Sequence, residues 1–211
     1  NLPENKGRQR LSEEEKEEKS IDAKEKDRMK EQYATKRLLL IPANKSLTEA
    51  VTDYYVRNRT FFQAYDPVCE EEFFTHRYQR ARLDLDEQNA MQAQGYRFYL
   101  VKKEQPQQVM GMVALNGIVW ECFCSCFLGY KLDKDHLRQG LMSEAVQECV
   151  RIAFEELGLH RIEANIMPRN LPSLRVAEKC GFVREGISRK YLKINGVWED
   201  HIHMVRLNET E

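Results

Sequence analysis

Two short stretches of the chain combine residue types that do chemistry at a defined spacing. The first reads Phe127-Leu128-Gly129-Tyr130-Lys131-Leu132, then residues 133–139, then Gly140-Leu141-Met142-Ser143-Glu144-Ala145. A strand-like run, a short loop and the opening of a helical pattern follow one another there. Such a loop delivers several backbone N–H groups to a helix start, where the unsatisfied donors and the positive end of the helix dipole face one point. That is a site for a pyrophosphate, with Gly140 permitting close backbone approach and Arg138 adding a charge-assisted contact to phosphate. Taken alone, a glycine ahead of a helix is also explained by simple chain geometry. The second stretch is Asn170-Leu171-Pro172-Ser173-Leu174-Arg175-Val176-Ala177-Glu178-Lys179-Cys180-Gly181-Phe182. Asn170 falls between a strand and a helix, where it either caps the helix or holds an amide-bearing ligand lying against the strand edge.

The elements that must position these residues are readable from periodicity. Arg37-Leu38-Leu39-Leu40-Ile41-Pro42 is a short apolar run stopped by proline and reads as the first strand. Ser46 is the expected N-cap of a helix carrying Leu47, Ala50, Val51, Tyr54 and Tyr55, and a second helix is expected over residues 70–93. Strands over residues 96–102, 109–118 and 123–132 have short links and form an antiparallel meander. A helix over 141–157 ends at Gly158, a strand covers 160–166, and a helix over 172–180 ends at Gly181. Residues 182–184, 191–194 and 198–206 complete the sheet, with Asn195-Gly196 as a hairpin turn. The order is β, αα, βββ, α, β, α, ββ, an α/β arrangement of the α+β kind.

At 211 residues and 42% hydrophobic, the chain can bury one sizeable core, which argues for one domain with an appendage. The 33 basic and 34 acidic residues leave a net charge of -1, so broad binding to nucleic acid or an anionic membrane has no compositional support. There is no run of about 18 apolar residues and the start is charged, so neither a transmembrane helix nor a secretory signal is expected, and the expected location is cytoplasmic. Cys122, Cys124 and Cys126 read as alternating on one strand, and with Cys69, Cys149 and Cys180 they are expected to be reduced thiols. They lack the C-x-x-C spacing of a zinc site, and no metal is expected. Residues 1–34 are dominated by charge, with Glu15 and Lys19, and Asp22 and Lys26, at i and i+4. They read as a charged extension, helical or partly disordered, or as an arm that docks a ribosome or another partner.

Together, the two stretches resemble the GNAT superfamily of N-acetyltransferases. Within it the chain is similar to the ribosomal-protein-alanine N-acetyltransferase (RimJ/RimL-like) family, through Leu128-Gly129-Tyr130, Gly140-Leu141-Met142-x-Glu144-Ala145, His160-Arg161-Ile162-x-Ala164-Asn165-x-Met167-Pro168-x-Asn170, Gly181-Phe182-x-x-Glu185-Gly186 and Tyr191-Leu192-x-Ile194-Asn195-Gly196-x-Trp198-x-Asp200-His201. The likeness covers about residues 36–207. It implies a GNAT domain over 35–208 with a mixed, mostly antiparallel sheet, splayed between its fourth and fifth strands near residues 126–129 and flanked by about four helices. It also implies acetyl-CoA as cosubstrate, held by Leu128, Gly129, Tyr130, Arg138, Gln139, Gly140, Leu141, Met142, Ser143, Asn170 and Ser173, with the pantetheine arm entering as a pseudo-strand.

The chain departs from the superfamily pattern at several places. With Gly140 as the fixed glycine of the loop, the first motif position holds Leu137 and the last Met142, and Arg138 stands where a glycine is often found. Ala177 replaces the tyrosine that many relatives place seven residues after the asparagine, which leaves Ser173 as the family-like acid for the thiolate. Lys190 stands where some relatives have a glutamate that serves as the base. An α-amino group titrates at about 8, so only modest help from a water held by a carboxylate is required; Glu121 and Asp200 are the candidates, each also readable as a strand-end or hairpin charge. Tyr65, Tyr191 and Trp198 read either as acceptor-groove or as core aromatics. His201 and His203 alternate on one strand face, which fits a packed or hydrogen-bonded pair, and nothing marks Cys124 or Cys126 as a nucleophile. The implied acceptor is a protein N-terminus such as that of a ribosomal protein. A small amine, or a non-catalytic acetyl-CoA-binding role on the ribosome, are the alternatives.

Overall fold

The computed structural model of the protein describes residues 29–209. The charged extension expected over 1–34 lies, up to residue 28, outside the described residues. The strands are β1 (Tyr33–Ala34), β2 (Leu38–Pro42), β3 (Tyr96–Lys102), β4 (Gln105–Val119), β5 (Ser125–Leu132), β6 (Arg161–Ile166), β7 (Val183–Ile194) and β8 (Val197–Leu207). The helices are α1 (Thr48–Phe62), α2 (His76–Met91), α3 (Leu141–Arg151) and α4 (Leu171–Lys179). Eight strands form one sheet in the order β1-β2-β3-β4-β5-β6-β8-β7. Every neighbouring pair is antiparallel except β5 and β6, which run parallel because α3 crosses over between them. The sheet begins at Tyr33, two residues ahead of the expected domain boundary, and this adds one to the strand count; the expected fourth and fifth strands are β5 and β6.

Helices cover both faces. Val51, Tyr54 and Tyr55 of α1 and Leu83 of α2 pack on Tyr99, Val101, Met112 and Ala114, all buried. Each such side chain removed from water contributes on the order of 1.5–3 kcal/mol. On the opposite face α3 buries Leu141, Met142, Ala145, Val146, Cys149 and Val150. The alternation of β6 divides the two environments: Ile162, Ala164 and Ile166 are buried toward α3 and α4, while Arg161, Glu163 and Asn165 point to the other face. Among the described residues no helix is long and apolar enough to cross a membrane.

Several local expectations are corrected. Asn44, not Ser46, caps the turn before α1, its side chain accepting the Ser46 N–H at 3.0 Å. The helix expected over 70–93 is interrupted at Thr75, whose extended backbone ends a short 3-10 turn and whose hydroxyl accepts the Tyr78 N–H at 3.3 Å to start α2. The helix after Gly140 loosens into a π turn over Ile152–Glu156. Cys122 and Cys124 precede β5, so only Cys126 of that series lies on a strand; all six cysteines are free thiols. Asn195 and Gly196 both take positive φ, 51° and 84°, as a tight hairpin turn requires.

Asp133, at the end of β5, fastens the loop that follows. Its carboxylate is 1% exposed and lies 2.6 Å from Arg57 Nε, while Arg57 also donates to the Val109 carbonyl. Burial alone raises the pKa of this carboxyl, but bonds from the Asp135 N–H, Asn58 and Arg57 outweigh it and hold the group below the ordinary carboxylate range. We expect Asp133→Ala to cost about 2 kcal/mol in urea unfolding, because it leaves Arg57 Nε and the Asp135 N–H without their buried acceptor, although Arg57 keeps Asp53. A lowered folded-state pKa means the contribution is fully present above about pH 4 and fades as pH falls through the folded value. The deficit of the variant therefore shrinks in acid; a deficit that grows there contradicts the assignment.

Candidate active site

The site is organised by a fork in the sheet. β5 and β6 pair only at Ser125 with Arg161, Cys126 with Ile162 and Phe127 with Glu163. Beyond Phe127, β5 stays paired to β4 as far as Leu132, and β6 stays paired to β8 as far as Ile166, but the two no longer pair with each other. Two facing strand edges with unused N–H and C=O groups are a slot for an extended ligand that carries amides. The expected splay at residues 126–129 is thus present, and its apex is Phe127.

At the open end of the fork stands the start of α3. Gly140 takes φ 74°, and the first intrahelical bond runs from the Glu144 N–H to Gly140 O at 3.1 Å. The N–H groups of Leu141, Met142 and Ser143 therefore have no acceptor within the helix. A Cβ on Gly140 would come within 3.7 Å of Arg37 Nη2 and 4.0 Å of Lys179 Nζ, so two cations flank the loop besides the exposed Arg138. Arg138 itself takes φ 59°, where a side chain costs roughly 1 kcal/mol. This donor set fits a pyrophosphate.

A strut that the sequence did not reveal holds the loop in place. Glu144 accepts from Thr35 Oγ1 at 2.5 Å, from the Arg37 N–H at 2.7 Å and from Arg37 Nε at 2.7 Å, while Arg37 Nη1 donates to Gln139 O at 2.9 Å. Burial pushes the Glu144 pKa up, but these donors bring it below the ordinary value, so the group stays ionised. Glu144 was visible only as a motif position, and no local pattern links it to Arg37, 107 residues away.

The second stretch closes the other side. Asn170 is the N-cap of α4, accepting the Ser173 N–H at 3.3 Å. Ser173 Oγ donates to Tyr130 Oη at 2.9 Å, and Tyr130 Oη donates to the Ser173 carbonyl at 2.8 Å. Tyr130 is on β5 and α4 follows β6, so this pair ties the two branches of the fork together. Burial raises the Tyr130 pKa against the opposing Ser173 bond, which keeps the phenol protonated. Leu128 is buried beside it, and Gly129 faces Asn116 with no side chain of its own.

The two candidate carboxylates are not brought together. Glu121 is exposed, with φ 60°, in the β4–β5 connection at the closed end of the fork, and its carbonyl accepts from Cys124 Sγ at 2.9 Å. Asp200 lies toward the open end, but its Oδ1 accepts the Lys190 N–H at 2.8 Å and supports a bulge in β7. Of the aromatics, Tyr65 lies under Arg169 at 5.5 Å, Tyr191 packs against His201 and His203, and Trp198 is exposed at the hairpin rather than in the core.

The α1–α2 connection crosses the fork on the face opposite α3. Asp66 pairs with Lys131 of β5 at 2.6 Å. On the other branch, Asn195 Nδ2 donates to Asp66 O at 3.1 Å and Asn195 Oδ1 accepts the Val68 N–H at 2.6 Å. Arg169 adds a bond to Ala64 O at 2.7 Å and a salt bridge to Glu199 at 3.0 Å. Residues 64–68 therefore form a strap fastened to both branches.

Comparison with known proteins bears on this geometry. The family profile described as Acetyltransferase (GNAT) domain matches residues 37–183. A probable N-acetyltransferase of Bacillus subtilis, YjcK, is 43% identical over 151 residues, 72% of this chain and 83% of that protein. The ribosomal protein uS5-alanine N-acetyltransferase of Escherichia coli is 32% identical over 152 residues, 72% of this chain and 78% of that protein. The crystal structure of the ribosomal-protein-S5-alanine acetyltransferase from Vibrio fischeri superposes with a TM-score of 0.81 at 30% identity, covering 85% of this chain and 97% of that one.

The strut yields a direct expectation. Glu144→Ala frees Arg37 and the Gln139–Gly140 backbone, so the affinity for coenzyme A, read by calorimetry, falls about tenfold, roughly 1.4 kcal/mol. An unchanged affinity shows that the loop holds its shape without the strut.

Proposed function

Since the chain belongs to the GNAT acetyltransferase family and is an N-acetyltransferase, we propose that it transfers the acetyl group of acetyl-CoA to the N-terminal α-amino group of a protein, a ribosomal protein in particular. The cytoplasm, where such acceptors are made, is the location this reading assigns. The observation that carries it is the strap. On this reading a chain end enters beneath the loop that is fastened to both branches of the fork, whereas an internal segment, continuing in both directions, meets Asp66 and Asn195. The 32% identity to an enzyme whose name gives an alanine of a ribosomal protein as its acceptor supports the same reading.

In this reading the N–H groups of Leu141, Met142 and Ser143, with Gly140, Gln139 and Arg138, hold the pyrophosphate. The β5 edge at Leu128, Gly129 and Tyr130 hydrogen-bonds the pantetheine amides opposite Asn170 and Ser173. When bound, acetyl-CoA supplies a thioester whose carbonyl accepts a nucleophile. Fixing that carbonyl beside an amine makes the reaction effectively unimolecular, which supplies several kcal/mol of the barrier. A backbone N–H at the fork apex, near Phe127 and Leu128, stabilises the developing oxyanion. Ser173 assists departure of the thiol, whose reference pKa of about 8.5 requires little help, by turning its hydroxyl proton from Tyr130 Oη to the sulfur. We assign Glu121 no proton, because it lies at the closed end. Asp200 acts through the bulge it holds and not as a direct base.

Thiol release from acetyl-CoA tests the reading. We expect turnover with peptides beginning in free Ala or Ser, and none with the same peptides blocked at the N-terminus and carrying an internal lysine. Turnover confined to polyamines, amino sugars or free amino acids overturns it. Asn195→Ala removes two bonds of about 1 kcal/mol each from the strap and raises KM for the peptide about tenfold with kcat little changed.

A further inference from the structure

A row of polar side chains lies on the strap face, and the coenzyme site makes no use of it. Glu163 stands at the apex rung of the fork, on the strand that forms one wall of the slot. His203 is on β8, the next strand, and Ser188 on β7, the edge strand. His203 Nδ1 lies 2.7 Å from Glu163 Oε1, and His203 Nε2 lies 2.6 Å from Ser188 Oγ. Hydroxyl, imidazole and carboxylate are thus joined in the sequence that activates a hydroxyl for proton transfer. Tyr191 covers the imidazole edge-on at 5.2 Å, and its hydroxyl lies 3.5 Å from Asn165 Nδ2. Asn165 is the direct cross-strand partner of His203, and its Oδ1 is shielded from solvent without a hydrogen-bond donor. A shielded acceptor of this kind, on the wall of the slot, is satisfied when a donor such as an amine N–H reaches it.

The electrostatics keep the carboxylate end of the row charged. Burial raises the Glu163 pKa, but the bonds from His203 and Arg161 outweigh it, so the carboxylate stays ionised. In its neutral form the imidazole directs its one proton at Glu163 from Nδ1 and its Nε2 lone pair at Ser188 Oγ. The charged and titratable groups facing His203 are Glu163 and Arg161 from β6, Glu185 and Tyr191 from β7, and His201 on its own strand beyond Tyr191.

We propose that Ser188, His203 and Glu163 form the relay that takes the proton from the acceptor ammonium, with Asn165 Oδ1 holding the amine; this rests on the amine-acetylation reading above. Ser188 lies two strand spacings of about 4.8 Å from β6, so in this relay the link to the amine runs through solvent. The ammonium gives one proton to that solvent, which passes one to Ser188 Oγ as Ser188 passes its own to His203 Nε2. The freed lone pair forms the C–N bond to the acetyl carbon. The C–S bond breaks with its electron pair on sulfur, and a second proton from nitrogen goes to sulfur, leaving the amide and the free thiol. The imidazolium, held by Glu163, then returns its proton through Ser188 to solvent at the sheet edge.

The test follows kcat/KM with a peptide beginning in Ala across pH, for the wild type and for His203→Gln, Ser188→Ala and Glu163→Gln, with acetyl-CoA affinity measured by calorimetry. We expect His203→Gln to lose about 10²-fold near neutrality and Ser188→Ala about tenfold, with coenzyme affinity unchanged. Both deficits shrink above about pH 8, where the amine loses its proton unaided. In the ligand-free protein, ring-nitrogen NMR should place the His203 proton on Nδ1 and show it redistributed in Glu163→Gln. Wild-type rates in both variants overturn the relay, as does a deficit equal at every pH, which marks a structural role. So does an acetyl group found on Ser188 by intact mass, which marks a covalent route. Wild-type protein that turns over no peptide and no small amine overturns the amine-acetylation reading, and the relay with it.

Discussion

Everything in the site depends on the parting of β5 and β6 after three rungs. A sheet interior normally satisfies every backbone group, so two edges left facing each other carry a cost that an extended, amide-bearing ligand offsets. The parting also needs something to set its width. Tyr130 does this by exchanging two hydrogen bonds with Ser173 across the slot, which fixes α4 relative to β5 while leaving the strand edges unpaired. Asn170, by capping α4, fixes where that helix begins and hence where Ser173 sits. Tyr130, Ser173 and Asn170, all expected at the coenzyme, are therefore also what holds the slot open.

The charge distribution at the mouth of the fork follows a related logic. A carboxylate in the first turn of a helix competes with an anion for the same positive end. Glu144 avoids that conflict because Thr35 and Arg37 saturate it from the side, and Arg37 then carries the constraint on to the Gln139 carbonyl. Arg37, Lys179 and Arg138 leave the immediate surroundings of Gly140 cationic. Arg138 in the left-handed region shows that the loop geometry is retained with an arginine where the motif often has glycine; the backbone strain comes with a cation beside the expected phosphate.

What the sequence disclosed was what local pattern encodes. Gly140 ahead of a helical period, Asn170 before another, and Asn195-Gly196 between two strand-like runs each carry their conformation in their own residue types, and the structure has a helix start, a helix cap and a hairpin there. Thr75 was missed because an aromatic-rich period runs through residues 73–85 on both sides of it, and the cap acts through an extended backbone that periodicity does not register. Cys122 and Cys124 alternate with Cys126 in sequence only, since the chain is still turning at Cys124, with φ 39°. The Arg37–Glu144 strut and the Glu163–His203–Ser188 row join residues from distant strands. The row exists because β8 is inserted between β6 and β7, an order that neither spacing nor composition expresses.

That insertion also sets what each face of the slot presents. The faces of β6 alternate strictly, so α3 and α4 build the pyrophosphate end on one side while Glu163, Asn165 and, through β8, His203 are presented on the other. The long β7–β8 hairpin serves this second face twice: its body supplies His203, Ser188 and Tyr191, and its tip fastens the strap through Asn195. On the proposed reading, donor and acceptor approach from opposite faces and meet across the slot, so no acyl-carrying residue is needed. The nearest thiol agrees with that economy: burial pushes Cys126 up to about 12, leaving almost no thiolate to compete with the amine. On the acetylation reading proposed above, the amine proton needs somewhere to go, and a hydrogen-bonded row that reaches the edge of the sheet at Ser188 offers an acceptor for it.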